Sequence, residues 1–441
     1  MNRREMLAGI GGAAITPILP GRAVADTGGS PVSALERAAH DAFIYTLPLI
    51  ESATARAGLL RAGGQLGRFL HMRAPTVPAT QRITTPNNDT LNSRAWIDLG
   101  LGPVRLSWPG TGQRYISIAM MDMYSNNFVV LGSRNTGPDG DSVMIVGPDS
   151  AAPPGAIRSP TRWMWLLVRL LTSGGDDLVK ANAIQDDFRL EAQAGYAALP
   201  SFATRSAPWA AYFASAGRLM AENRGAAGDE AMRRTIAPLG LDRFDPSRFS
   251  AQQARDIERG VARARALLSA QSITGPQAAG WAYPRPDLGN FGQDFLYRAQ
   301  TALNGFAALP PEEATYAFGT GANGSMKFDG ATRWRLRLPG AALPPNDGFW
   351  SLTMYRATPD GQFFLFDNPI NRYSIGDRTP GLTRDPDGSI DILMQRERPA
   401  RANWLPTPPA DPFGVVFRIY RPGQAALNGT WRLPAMERAA G

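Results

Sequence analysis

The hydrophobic period of this chain changes twice along its length, and that alternation limits the folds open to it more than any single motif does. Between residues 32 and 63 the apolar positions Leu35, Ala38, Ala39, Phe43, Leu47 and Ile50 recur at helical spacing, and Gly63-Gly64 ends the run. From about residue 81 the pattern becomes short alternating segments. Ala95-Trp96-Ile97-Asp98-Leu99, Val104 to Trp108, Tyr115 to Met120, Phe128 to Leu131 and Val143 to Val146 are punctuated by Pro-Gly, Gly-Pro and Asp-Gly pairs. Such spacing predicts a β-sandwich or barrel. From about 176 to 307 the period is helical again. There Ser250 and Gln253 form a capping box ahead of the stripe Ala254, Ile257, Val261, Ala264 and Leu268, and Phe291 to Phe306 makes a further helix. Strands return near 314 with Thr332–Leu338, Trp350–Tyr355 and Val415–Tyr420. The order β, α, β over 441 residues predicts a multidomain α+β chain, with length enough for two or three domains.

The N-terminus carries a different signal. Arg3-Arg4 precedes an apolar stretch from Leu7 to Leu19, and Ala23-Val24-Ala25 supplies a small–x–small cleavage pattern. An arginine pair in this place predicts export of the folded chain by the twin-arginine (Tat) translocase, to the periplasm or beyond. Pro17 and Pro20 interrupt the stretch, which is too short for a bilayer span of about 20 residues. No later segment is a charge-free apolar run of that length, so no membrane span is expected in the mature chain.

Composition removes whole classes of chemistry. There is no cysteine, so disulfides, thiolate metal sites and a cysteine nucleophile are excluded. Histidine is limited to His40 and His71, which argues against a structural zinc site. A hard cation held by Asp and Asn oxygens stays open, and no cofactor is specified. The net charge of +8 comes from arginines dispersed among carboxylates. Nucleic-acid binding would want a clustered basic stripe with aromatic platforms, and none is present. Gly319-Thr320-Gly321-Ala322-Asn323-Gly324 fits G-x-G-x-x-G, but no helix pattern follows, and a hairpin is predicted instead.

Four polar stretches remain as candidates. Asn87-Asn88-Asp89 precedes a strand and is either a self-bonded turn or a polar rim, with Asp89 as acid or base. Asp122, Tyr124 and Asn127 follow the Tyr115–Met120 strand, where they either flank a ligand or cap a turn. Asn371-Arg372-Tyr373 and Asp377-Arg378 form either an ordered loop or a wall for a carboxylate or sugar. His71 is either a structural residue or a member of the site. Asp89, Asp122, His71 and Tyr124 are thus the catalytic candidates. Asn87, Asn88, Asn127, Arg372, Tyr373, Asp377 and Arg378 are the substrate-binding ones.

Thr85-Pro86-Asn87-Asn88-Asp89-Thr90-Leu91 followed by Ala95–Leu99 resembles the signature of the domain of unknown function 1254. Phe349–Thr353, Asn368–Thr379 and Asn403-Trp404-Leu405-Pro406 together resemble its usual C-terminal partner, the domain of unknown function 1214. The resemblance implies two β-sandwich domains, the second jelly-roll-like, joined by an α-helical region. The resulting division is a signal peptide over 1–25, a helical segment over 26–80, a first sandwich over 81–175, a helical region over 176–310 and a second sandwich over 311–441. Asn92 stands where the family is expected to have an aromatic residue, which makes any pocket there more polar. The family implies no reaction. Carboxylate acid–base chemistry of the hydrolase type on a small organic substrate is the first expectation, and a non-catalytic carbohydrate or small-ligand binding protein is the alternative. Oligomeric state is not readable from these residues.

Overall fold

Every long strand between residues 90 and 171 is part of one double-layered body. The computed structural model describes residues 32–439 apart from 82, 194, 271–273, 322–323, 402 and 410. Arg3, Arg4 and the Ala23–Ala25 cleavage pattern lie outside the described residues. Strands β1 (Leu70–His71), β2 (Thr90–Asp98), β8 (Trp163–Leu171), β4 (Ile116–Asp122) and β5 (Asn127–Gly132) hydrogen-bond in that order as a five-stranded sheet. Facing it is a four-stranded sheet of β7 (Ile157–Arg158), β6 (Gly140–Val146), β3 (Val104–Pro109) and β9 (Arg189–Glu191). Alternation sorts the side chains. Leu91, Ala95, Ile97, Ile116, Ile118, Met120, Leu166 and Val168 face the four-stranded sheet and form the sandwich core.

The other face of the five-stranded sheet is also covered, at its two ends by different bodies. Trp96 and Trp163 pack against helices α1 (Ala34–Arg61), α3 (Trp209–Glu222) and α5 (Ala251–Ala270). Helix α1 is buried around most of its circumference even though Pro48 removes one intrahelical donor, as suits the central member of a helical body. Gly260 lets α5 approach closely, since a Cβ there would lie 2.2 Å from the Glu36 carbonyl oxygen. The predicted capping box forms, with Ser250 N–H donating to Gln253 Oε1 (2.8 Å) and Gln253 N–H donating to Ser250 Oγ (3.3 Å). At the opposite end, Tyr115, Ala119, Val130 and Leu171 pack on Ala314, Phe349 and Tyr420 of the second sandwich.

That second sandwich pairs β10 (Thr274–Ala278), β11 (Trp281–Pro284), β12 (Ala314–Gly319), β19 (Phe413–Pro422), β14 (Asn346–Ala357) and β15 (Phe363–Phe364) in order, with β16 (Ser374–Gly376) also on β14. Its facing sheet is β18 (Trp404–Pro406), β17 (Ile390–Gln395), β13 (Trp334–Leu338) and β20 (Glu437–Arg438). Leu336, Leu352, Ile392, Leu405 and Phe417 fill the space between them, each apolar side chain contributing about 1.5–3 kcal/mol by burial. The architecture is multidomain α+β with two β-sandwich domains, the second jelly-roll-like in bringing distant strands together at β12, β19 and β14.

Two expectations change. The stretch 176–310 is not one helical body. Helix α2 (Asp177–Asp186) and β9 pack on the first sandwich, through Ala181, Phe188 and the β3–β9 pairing. Strands β10 and β11 extend the second sheet, and α6 (Phe295–Asn304) closes on α1 in place of a longer Phe291–Phe306 helix. The Gly319–Gly324 segment is not a hairpin between strands of one sheet: β12 and β13 lie in opposite sheets, and a turn closed by Gly321 N–H to Ser325 O (2.5 Å) begins the crossover. Residues 322–323 of that segment lie outside the described residues. Among the described residues no helix is long and apolar enough to cross a membrane.

Candidate functional site

The segment 81–90 leaves the first sandwich, runs over the large sheet of the second and re-enters at β2. Backbone and side-chain bonds stitch it down. Leu365 N–H donates to Gln81 Oε1 (2.8 Å), Thr85 N–H to Phe363 O (2.7 Å), and the Tyr355 hydroxyl to Pro86 O (2.9 Å). Thr85 takes a left-handed φ of 46°, a strained conformation for a β-branched residue. The polar triplet then divides its work. Asn87 Oδ1 accepts from the backbone N–H groups of Asp89 (2.7 Å) and Thr90 (3.0 Å), which is the self-bonded turn, while its Nδ2 donates to Tyr420 Oη (2.5 Å). Asn88 Nδ2 holds the Thr76 carbonyl (2.6 Å). Asp89 crosses the seam.

Asp89 is 8% exposed, and its carboxylate accepts from Ser351 Oγ (2.6 Å) and Ser374 Oγ (3.2 Å) of the second domain. Arg418 stands beside it, buried, donating to Thr353 Oγ1 (3.0 Å) and to the strained Thr85 carbonyl (3.2 Å). Ser351 lies opposite Arg418 across the β14–β19 pair, so the strand register builds this cluster. Burial pushes the Asp89 carboxyl up, against the pull of Arg418 and the two hydroxyls. Asp377 follows β16 and accepts from Trp350 N–H (3.3 Å), the neighbour of Ser351. Its carboxyl is pushed up to about 6, first by burial and with the Asp89 charge adding to the rise. Unlike Asp89, Asp377 is only half-buried. The seam thus holds two carboxyls of raised pKa, one closed in and one open to solvent.

The other catalytic candidates do not join them. Asp89 O accepts from Thr172 N–H just beyond one end of β8, whereas Asp122 pairs with Met164 near its other end. Eight residues of strand separate the two positions, about 25 Å at 3.3 Å per residue, too far to divide acid and base work. Asp122 instead closes its own turn, accepting from Asn126 N–H and Asn126 Nδ2, both at 2.9 Å, around Ser125 at φ 65°. Tyr124 donates to Asn223 O (3.1 Å) in the helical body. His71 sits on the opposite face of the five-stranded sheet, with Nδ1 2.8 Å from Ser93 Oγ. Burial, and then Arg73, lower its pKa. Asn127 Nδ2 holds the Ala308 carbonyl (2.9 Å). Asp122, Tyr124 and His71 are thus each engaged in bonds of their own, none of them to Asp89.

The second group of predicted binding residues separates in the same way. Arg372 Nη1 donates to Trp404 O (3.2 Å), and with Arg398, Arg401 and Asn403 it lines a cavity of about 320 Å³ beside β18. Tyr373 is buried on Tyr355 and Leu365, and Arg378 reaches out to the Gly348 carbonyl (3.1 Å). A larger cavity of about 810 Å³ lies between the end of α1 and Tyr196–Leu199 and contains none of the candidates. Among the described residues no group of three or more His, Asp or Glu side chains is placed to hold a metal ion.

Residues 66–192 match the family described as Protein of unknown function (DUF1254), and residues 313–424 match Protein of unknown function (DUF1214). The chain belongs to this DUF1254–DUF1214 family. In the DUF1254–DUF1214 protein the seam takes Asp89 from the first matched region and Ser351, Ser374, Asp377 and Arg418 from the second. The crystal structure of the VPA0106 protein from Vibrio parahaemolyticus is similar, with a TM-score of 0.70 at 22% identity over 92% of this chain and 100% of that one. The likeness establishes the fold alone. An uncharacterized protein from Burkholderia cenocepacia has a TM-score of 0.45 at 13% identity, over 92% of this chain and 94% of that one. No curated protein matches the chain.

Sequence reasoning missed Ser351, Thr353 and Arg418 as site residues. Their signal was a polar residue inside an otherwise apolar buried stretch, Ser351 and Thr353 within Phe349–Tyr355 of β14 and Arg418 within Phe413–Tyr420 of β19, which are 3%, 0% and 5% exposed.

Proposed function

We propose that this protein is an exported hydrolase-like enzyme that acts on a small organic substrate at the seam between its two sandwiches. Asp377 is the group that exchanges protons with water, its pKa raised chiefly by burial, and Asp89 is the buried neighbour that adds to the rise. The observation that carries this reading is the pair of raised carboxyls drawn from two domains and joined through Trp350–Ser351. Environments that push neighbouring acids apart in pKa mark acid–base assignments. A partly buried carboxyl near 6 is matched to proton transfer at neutral pH.

Chromogenic esters and glycosides assayed between pH 5 and 8 test the reading. Turnover should rise through about pH 6 as Asp377 loses its proton, and Asp377→Asn should lower it at least a hundredfold, the lower end of what a positioned acid or base contributes. Full activity in Asp377→Asn sinks the assignment, and absence of any hydrolysis leaves the alternative, a non-catalytic binding protein, as the better account.

Asp377 also leaves a mark on stability that needs no substrate. Its pKa is raised from 3.8 to about 6, so the folded state binds the proton more tightly than the unfolded chain does. The contribution is full below about pH 4 and is lost as pH rises through 6, with a size on the order of 1–3 kcal/mol after allowance for its exposure. Denaturant unfolding at pH 4 and pH 7 should show this slope in the wild type and a flatter one in Asp377→Asn. Equal slopes would remove the buried-carboxyl description.

The location rests on the Arg3-Arg4 pair, the apolar stretch and the Ala23–Ala25 cleavage pattern. Arg3→Lys with Arg4→Lys should leave the chain uncleaved and inside the cell, as shown by fractionation and N-terminal sequencing. Processing of that variant at an unchanged level would refute the twin-arginine route.

A further inference from the structure

The face of the five-stranded sheet turned away from its sandwich partner is covered at each end by a different body, and between those bodies lies a polar strip. Across the β2–β8 pair Asn92 faces Arg169, Arg94 faces Leu167 and Trp96 faces Trp165. Asn92, Arg94, Trp165 and Arg169 are half-buried. Arg94 and Arg169 are diagonal neighbours on one face, a spacing of about 7–8 Å. Arg169 Nη2 donates to the Ala307 carbonyl (2.6 Å), and Ala307 holds a left-handed φ of 66° to present it. Its Nη1 is buried without a partner, as is Arg94 Nε. Burial alone depresses the Arg94 guanidinium, with no carboxylate acting on it. Two further donors on the same face are buried and unpartnered, the indole N–H groups of Trp96 and Trp165. Ser117 lies directly opposite Arg169 on β4.

Buried donors left without an acceptor are costly to the fold. Four of them on one half-buried strip, two belonging to arginines, is what a site looks like when its charge complement comes from outside the chain. Beside the arginines, Trp165 stacks between Trp96 (5.6 Å, 3° between planes) and Phe306 (5.3 Å, 18°), forming a rigid apolar wall.

The geometry points to a binding site for a small organic carboxylate, its acid group taken by Arg94 and Arg169 and its apolar body laid along the Trp165–Phe306 wall. Guanidinium forks match the planar carboxylate bidentately. The strip adjoins the seam, since Tyr420, which accepts from Asn87, is acted on by both Asp89 and Arg169. The site stands without the acid–base reading, because it needs only binding.

Sodium benzoate, titrated into the full chain by calorimetry, is the probe, with benzamide as its neutral counterpart and inorganic phosphate as an anion without an apolar body. Saturable benzoate binding is expected, weakened at least tenfold in Arg94→Gln, with no binding of benzamide. Among the described residues Arg94 has no hydrogen-bond or ion-pair partner, so the variant should melt with the wild type. Should Arg94→Gln melt early, Arg94→Lys, which keeps the charge but not the fork, should still weaken binding several-fold. Asp377→Asn should bind benzoate as the wild type does, which separates this site from the proposed chemistry. Absence of benzoate binding, equal binding by Arg94→Gln, or phosphate binding as tight as benzoate each overturns the assignment.

Discussion

Asp89→Ala should cost the folded protein about 3–5 kcal/mol, because it takes away the carboxylate that offsets the buried Arg418 charge and accepts from Ser351 and Ser374. The reason lies in what remains. Arg418 is 5% exposed and cannot give up its proton. Without Asp89 its charge stays buried beside neutral groups, the Thr85 carbonyl, Thr353 Oγ1 and the Tyr355 hydroxyl. The reverse change is milder. In Arg418→Met the Asp89 carboxyl, already raised by burial, takes up a proton and becomes neutral. Arg418→Met should therefore cost less than Asp89→Ala, and the double variant less than the sum of the two. Urea unfolding of the three variants measures this coupling directly. An Asp89→Ala loss below about 1 kcal/mol would mean that the seam is wet and that Asp89 does not hold the two sandwiches together.

The second large effect is expected at Asp229. Arg298, 2% exposed, lies over the rings of Tyr45 (5.3 Å), Tyr124 (5.2 Å) and Phe295 (4.9 Å), and its Nη1 is 4.0 Å from Asp229 Oδ2. Asp229 also accepts from the Tyr45 hydroxyl (3.0 Å), whose pKa is pushed up to about 12 by burial and then by Asp229. Asp229→Ala strips the only carboxylate in ion-pair range of Arg298 among the described residues and takes the carboxylate acceptor from the Tyr45 hydroxyl. The cost should again be about 3–5 kcal/mol. Asp229→Asn, which keeps an acceptor for Tyr45, should cost less. If Asp229→Ala loses under about 1 kcal/mol, the three rings alone are sufficient partners for the cation, at the 0.5–2 kcal/mol such contacts supply.

Much of the fold was legible because each stretch has one period. Leu35 to Ile50 and the Ile257 to Leu268 stripe became helices, and the segments around Trp96, Leu106, Ile118 and Leu352 became strands. The division of 176–310 was not legible, since helix period does not say against which sheet a helix packs, and Ala181 and Phe188 chose the first sandwich. The site was half visible. Asn87-Asn88-Asp89 stood out as a run of polar groups that burial would penalise, and Asp377 as a charge among loop residues. That Asp89 and Asp122 lie at opposite ends of β8 depends on register, which alternation in sequence leaves open. Arg94, Arg169 and Arg418 were hidden for a related reason. A charged residue on the second face of a strand reads as solvent-facing, and here that face meets another body of the same protein. Asn92, singled out as a polar substitution, faces Arg169 on the strip.

Apart from its own turn at Asn87 and bonds to Thr76, Val77 and Asn92, the strap from Gln81 to Thr90 bonds to residues far along the chain. Asp89 meets Ser351 across 262 positions, and Asn87 meets Tyr420 across 333. At the 5–20 residues per second of ribosomal synthesis, the strap waits on the order of tens of seconds for β19 to emerge. During that wait Tyr115, Ala119, Val130 and Leu171 have no cover from the second sandwich. A nascent chain of this design is exposed until its last long strand arrives, so a translation arrest before Phe413 would leave a sticky, half-clothed sheet for chaperones to shield.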